Sequence, residues 1–142
     1  MRAVLDTNVV VSAFLSPTDT PARILDLLAQ QAFVLVVSQS ILDEYVRALC
    51  YEKVQARHGM SEAEVADVMG GLGATSVLVA PSESHHFVER DAADDMFFEC
   101  AIAGGADYIV SGDAGVLAVR EVRGIVAVSP AVFVEIVKLQ DQ

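Results

Sequence analysis

Several acidic residues of this 142-residue chain stand at the ends of apolar runs, where a carboxylate can reach a ligand while its backbone stays buried. Asp6 closes Ala3-Val4-Leu5, and Asp113 follows Tyr108-Ile109-Val110 after Ser111-Gly112. Asp94 and its neighbour Asp95 open a helical stretch that runs to about Gly104. If the runs are parallel strands, all of these acids fall at one edge of the sheet. Carboxylates gathered there repel one another and hold their protons more tightly unless a cation sits among them, which is the character of a hard-metal site. Mg²⁺ or Mn²⁺ suits such oxygen donors. These ions keep waters, so one can activate a water for attack on phosphorus while a second stabilises the leaving oxygen. Phosphodiester hydrolysis is the natural reaction.

Each acid also has a plain structural reading. Asp6-Thr7-Asn8 is a turn sequence, Asp94 is a good N-cap, and Asp113 can cap a short helix after it. The coincidence of all of them at one edge is what argues for a site. Further along, Asp43 and Glu44 flank the apolar stripe of their helix at nearly equal angular distance, and periodicity alone does not choose between them.

The elements that would carry these acids alternate along the chain. Ala3–Leu5 reads as a strand, Val9 to Leu15 as a turn or helix, and Ser16-Pro17-Thr18-Asp19 as a break. Thr20-Pro21 supplies a cap and a first-turn proline for a helix to about Gln31, followed by a strand at 33–37. Ser40-Ile41-Leu42-Asp43 resembles a capping box for a helix whose stripe is Ile41, Leu42, Tyr45, Val46 and Leu49. A third helix starts at the cap Ser61 and ends at Gly70-Gly71-Leu72-Gly73, and Ser76–Ala80 is the next strand. Residues 82–93 read as a polar connection. After the 94–104 helix come a strand at 108–110, a short helix near Leu117, a strand at 125–128 and a helix opened by Ser129-Pro130. Near-continuous apolar strands alternating with helices predict an α/β fold, a three-layer α/β/α sandwich with a central parallel sheet of about five strands. In open sheets of this kind the ligand site lies beyond the carboxyl ends of the strands, where the acids are.

The whole-chain properties narrow the function. The length fits a single domain over residues 1–142, and 54% hydrophobic with 20% charged residues is a globular composition. There is no apolar run long enough to span a membrane and no signal-peptide pattern at Met1-Arg2-Ala3, so a cytoplasmic address is expected. Cys50 and Cys100 are isolated and read as buried free thiols. The net charge of −11 has the wrong sign for a large basic nucleic-acid surface, so a phosphate-rich substrate must be held otherwise, and bound divalent cations would do it. A basic partner segment is a second consequence of that charge. His85-His86 lies on the polar connection and reads as a solvated pair, and Lys53, Arg57 and Arg90 read as scattered surface charges.

Together these segments resemble a known family. Val4-Leu5-Asp6-Thr7-Asn8-Val9, then 38–45 (Ser-Gln-Ser-Ile-Leu-Asp-Glu-Tyr), then 90–101 and 105–113 resemble, in order, the motifs of the PIN-domain nucleases over essentially the whole chain. The similarity is greatest to the toxins of bacterial toxin–antitoxin modules related to the virulence-associated-protein C toxins. The resemblance implies metal ligands at Asp6, Glu44, Asp94 and Asp113, selecting Glu44 over Asp43 and Asp94 over Asp95, although Asp95 stays a possible ligand. It gives Thr7 and Asn8 the shaping of the turn around Asp6, and Ser111 the orientation of a carboxylate or water. Ala92 and Ala93 stand where that branch commonly has proline and an acid. The implied activity is Mg²⁺- or Mn²⁺-dependent endonucleolytic cleavage of RNA to a 3′-hydroxyl and a 5′-phosphate, with a cognate antitoxin as partner and a homodimer as assembly.

Rival readings fare worse on the residues. A two-component receiver domain needs paired acids after strand one and a lysine after strand five, but the chain offers Asp6 alone and Ser129-Pro130-Ala131. A haloacid-dehalogenase-like phosphatase needs Asp-x-Asp, and Asp6-Thr7-Asn8 lacks it. A non-catalytic PIN-like interaction module remains the alternative from another class.

Overall fold

The computed structural model describes residues 1–81 and 95–140. Strands β1 (Arg2–Leu5), β2 (Val34–Ser38), β3 (Val77–Val79), β4 (Tyr108–Val110), β5 (Glu121–Val122) and β6 (Ile125–Val128) form one sheet in the order β3-β2-β1-β4-β6-β5. The first five in that order are parallel, and β5 alone runs antiparallel to β6. The α/β class expected from the sequence is borne out, with a sixth strand added. That strand is two residues long, too short to show a pattern. It is turned by Arg123 (φ 51°) and Gly124 (φ 81°), two positive-φ residues in sequence that suit a tight hairpin.

Successive strand side chains face opposite ways, yet Ala3, Val4 and Leu5 are all fully buried, as are Leu35, Val36 and Val37. Both faces of the sheet's centre are therefore covered by helices. The described helices are α1 (Thr7–Leu15), α2 (Thr20–Ala29), α3 (Gln39–Leu49), α4 (Glu52–His58), α5 (Glu62–Ala74), α6 (Asp95–Gly104), α7 (Ala114–Leu117) and α8 (Pro130–Gln140). Helix α6 lies across β1, β2, β3 and β4, whereas α1 packs on α2 and α3, α2 on α8, and α3 on α5. Phe133 of α8 meets Phe33 edge to face at 5.0 Å between ring centroids, tying the last helix to the start of β2. None of the described helices is long and apolar enough to cross a membrane.

Local signals explain most boundaries, and three expectations change. Ser38, not Ser40, caps α3: its Oγ accepts the Ile41 N–H at 3.2 Å, so the helix starts directly at the end of β2. Helix α5 opens with the expected capping box, Ser61 and Glu64 exchanging bonds of 3.1 Å, but it continues through its glycines to Ala74. A Cβ on Gly73 would stand 3.1 Å from a Leu42 methyl, so the missing side chain there serves close packing of α5 on α3. Helix α4 fills the stretch around Lys53 and Arg57, for which the sequence pattern predicts no element. It buries no residue and so has no apolar stripe to read, and its end is marked by Gly59 in the left-handed region at φ 73°.

Candidate active site at the carboxyl edge of the sheet

β1 and β4 are neighbours in register, with Leu5 opposite Val110, and the ladder continues one bond further as the Asp6 N–H donates to the Val110 carbonyl at 2.9 Å. Two chain segments distant in sequence therefore leave the sheet side by side, and their first polar residues meet. The Ser111 hydroxyl donates to Asp6 Oδ2 at 2.6 Å, and Asn8 Nδ2 donates to the same oxygen at 3.1 Å and lies 3.4 Å from Ser111 Oγ. Asn8 Oδ1 in turn accepts the Gly112 N–H at 3.0 Å, so Asn8 clasps the two turns together. Ser111 Oγ also accepts the Asp113 N–H at 2.9 Å. Each hydrogen bond fixes a turn whose residues were singled out by type: Asp, Asn and Ser all bond local backbone readily.

Asp6 itself is 4% exposed. Burial pushes its carboxyl above the ordinary range, the bonds from Ser111 and the backbone of Thr7 and Asn8 oppose that, and the nearby Asp113 charge adds to the rise. A buried carboxylate facing a second acid is a group that needs positive charge. Thr7 Oγ1, next in the chain, is buried and finds no hydrogen-bond partner among the described residues. The donors here are all hard oxygens, so Asp6 and Asp113 fit a Mg²⁺ or Mn²⁺ ion better than a soft metal.

The remaining candidates are placed differently. Asp113 is exposed and caps α7, its Oδ2 accepting the Val116 N–H at 3.1 Å, so the capping role read for it is real. Glu44 is half-buried on α3 and forms an ion pair with Arg47, while Asp43 is exposed and accepts from Gln39 at 2.9 Å. Of the two acids that periodicity could not separate, Glu44 is the one turned toward the body of the protein. Asp95 is buried, 6% exposed, in the first turn of α6. Asp94, His85, His86 and Arg90 lie outside the described residues. Among the described residues, no three His, Cys, Asp or Glu side chains gather into a group that could hold a metal ion. Lys53 and Arg57 stand exposed on α4.

One residue of this region was read only as core. Tyr45 is fully buried, and its hydroxyl donates to the Leu5 carbonyl at 2.5 Å. Burial, then the charges of Cys100 and Asp6, push its phenol well above the ordinary value. Its place on the apolar stripe of α3 concealed the polar tip. Cys100 lies in the same interior, its thiol pushed up to about 12 by burial despite a hydrogen bond with Ser38. Elsewhere, a cavity of about 690 Å³ between α2, α5 and the start of β2 is lined by apolar side chains such as Phe14, Leu25 and Met69 and by no ionisable group. It offers no chemistry.

The PIN domain model matches residues 2–115. The chain is a member of the PIN-domain family. PIN domains are in general nucleases. The matched span contains Asp6, Glu44, Asp94 and Asp113. An uncharacterized protein of Methanocaldococcus jannaschii, MJ1680, is 29% identical over 121 residues, which are 85% of this chain and 76% of that protein. Among solved structures, a chain of the VapBC2 complex of Rickettsia felis, crystallised bound to a DNA fragment from their promoter, superposes with a TM-score of 0.59. The match covers 91% of this chain and 98% of that chain at 16% identity, and it shows a shared fold.

Proposed function

We propose that this PIN domain is a Mg²⁺- or Mn²⁺-dependent endoribonuclease and the toxin of a toxin–antitoxin pair. One observation carries the nuclease reading: a buried, charge-hungry Asp6 at the carboxyl edge, held by Ser111 and Asn8 with Asp113 beside it. Asp6, Glu44, Asp94 and Asp113 would hold the ion, with Asp95 as the substitute for Asp94. A bound Mg²⁺ or Mn²⁺ supplies the charge that lowers the pKa of an attacking water and offsets the phosphate's negative charge. Ser111 and Asn8 fix the direction in which the Asp6 carboxylate points, and Asp113 is fixed through its cap on α7. In the reaction, water oxygen forms a bond to phosphorus and the bond to the 3′ oxygen breaks. The products are a 3′-hydroxyl and a 5′-phosphate.

The toxin role rests on the shared fold with a chain of a VapBC2 complex and on the net charge of −11, which suits a basic antitoxin segment. A homodimer acting on cytoplasmic RNA completes this reading. A non-catalytic interaction module is the second reading, and the Glu44–Arg47 pair favours it, because a carboxylate already neutralised has less need of an ion. With its Arg47 partner in solvent, that pair is worth only about 0.5 kcal/mol, so a divalent cation displaces it readily.

End analysis of a labelled single-stranded RNA after incubation with Mn²⁺ tests the mechanism. Fragments with 5′-phosphates are expected. Fragments ending in 2′,3′-cyclic phosphates contradict it, because they form by attack of the neighbouring 2′-hydroxyl rather than of water. For the toxin role, a small adjacent gene whose product binds this chain is expected, and induced growth arrest unrelieved by that product contradicts it.

A further inference from the structure

Tyr45 joins two elements that carry proposed ligands. It follows Glu44 directly on α3, and its hydroxyl donates to the carbonyl of Leu5, the residue before Asp6. β1 ends at Leu5, so this bond lies at the last peptide before the Asp6 turn. The ring is fully buried and cannot swing away. Helix α3 is capped at its start by Ser38 and held on the core by Ile41 and Leu49, and midway along it the Tyr45 bond ties the turn that carries Glu44 to the β1 terminus. The bonds from Ser111 and Asn8 orient the Asp6 carboxylate but tie it only to β4 and its own turn. A direct hydrogen bond from α3 to the strand end at Asp6 is the one made by Tyr45 among those described.

We infer that Tyr45 is a positioning residue that holds the Glu44 helix against the Asp6 strand end and so sets the spacing of a divalent-cation site. The inference rests on the metal-site reading above. A ligand set needs its spacing held within a fraction of an ångström to bind a small, geometrically demanding ion such as Mg²⁺. Removing the hydroxyl while keeping the ring retains the apolar packing, loosens that spacing and withdraws the Tyr45 donor from the buried Leu5 carbonyl, so a control for lost stability stands beside it.

The test compares wild type, Tyr45→Phe and Val137→Ala. The last is a core truncation well along α8 that lowers stability without touching the carboxyl edge. Mn²⁺ affinity is measured by calorimetry without RNA, and kcat and KM are measured on RNA well below each protein's melting temperature. For Tyr45→Phe, Mn²⁺ binding weakens and kcat falls by about 10-fold each, as for other groups that orient metal ligands, while KM changes little. Val137→Ala loses stability and keeps both values. Tyr45→Phe with wild-type Mn²⁺ affinity overturns the inference, as does an equal loss of affinity in Val137→Ala. A wild type that binds Mn²⁺ but cleaves no RNA removes the nuclease reading and leaves the role of Tyr45 decided by the Mn²⁺ affinities. A wild type that binds no Mn²⁺ overturns the inference with the metal site.

Discussion

Keeping Asp6 ionised in the folded chain is unfavourable, and this has a sign that can be checked. Its carboxyl is raised on folding, mainly by burial and further by Asp113. A carboxyl raised on folding stabilises the fold while protonated, and that contribution is lost as pH climbs from the ordinary carboxylate range through the folded value. Metal-free Asp6→Asn protein is therefore expected to melt above wild type at pH 7 in EDTA, with the difference shrinking below about pH 4, where both forms are neutral. Thermal melts at the two pH values decide it, and a lower melting temperature for the variant at pH 7 contradicts the account. Ser111→Ala removes the bond to Asp6 and the acceptor of the Asp113 N–H together. RNA cleavage is expected to fall by about 10- to 100-fold with the fold retained, measured as kcat beside a circular dichroism spectrum. Asp6 could be read from the sequence because a turn former closing an apolar run announces itself by type, whereas the role of Ser111 came only with the family resemblance. Tyr45 could not, because its ring satisfies the apolar stripe of α3 and its hydroxyl bond is formed by a residue 40 positions away.

At the scale of elements, helix α6 must sit close on the sheet to present its first turn at the carboxyl edge. It does so where Gly104 meets Val36: a Cβ added there would stand 2.3 Å from a Val36 methyl. Gly104→Ala is expected to cost about 1–3 kcal/mol, read from urea unfolding, because strand β2 cannot yield without disturbing the core. The interior under the site is also chemically closed. With its thiol pushed up to about 12 and fully buried, Cys100 should resist a thiol reagent at pH 8 until the protein unfolds, whereas half-buried Cys50 is open to it. Mass spectrometry after native labelling distinguishes the two, and fast modification of Cys100 contradicts the packing. The parallel strands and the α5 capping box were legible because burial on both faces writes continuous apolar runs and capping writes a fixed spacing. Helix α4 was not, since it packs only the half-buried Val54 against the core and so shows no stripe, and β5 was not, since a two-residue strand has no period.

Over the whole molecule, the charge of −11 opposes binding of RNA, and the same charge makes divalent cations natural ligands. The domain's stability should accordingly rise with Mn²⁺, by about 2.7 kcal/mol at one hundred times the dissociation constant, and Asp6→Asn should lose that gain. Composition and strand pattern made the fold class readable, and parallel topology, which sends the ends of β1 and β4 to one edge, pointed to Asp6 and Asp113, while the choice of Glu44 over Asp43 and of Asp94 over Asp95 came only from the family resemblance. On the proposed function, the Asp6 edge is a metal-dependent nuclease centre. Its most direct test is the rate of cleavage of an end-labelled single-stranded RNA by purified protein as Mn²⁺ is raised from zero, for wild type and for Asp6→Asn. A metal-dependent centre gives a wild-type rate that saturates with Mn²⁺ and vanishes in EDTA, and a variant without activity. Equal cleavage in EDTA, or by the variant, would contradict it.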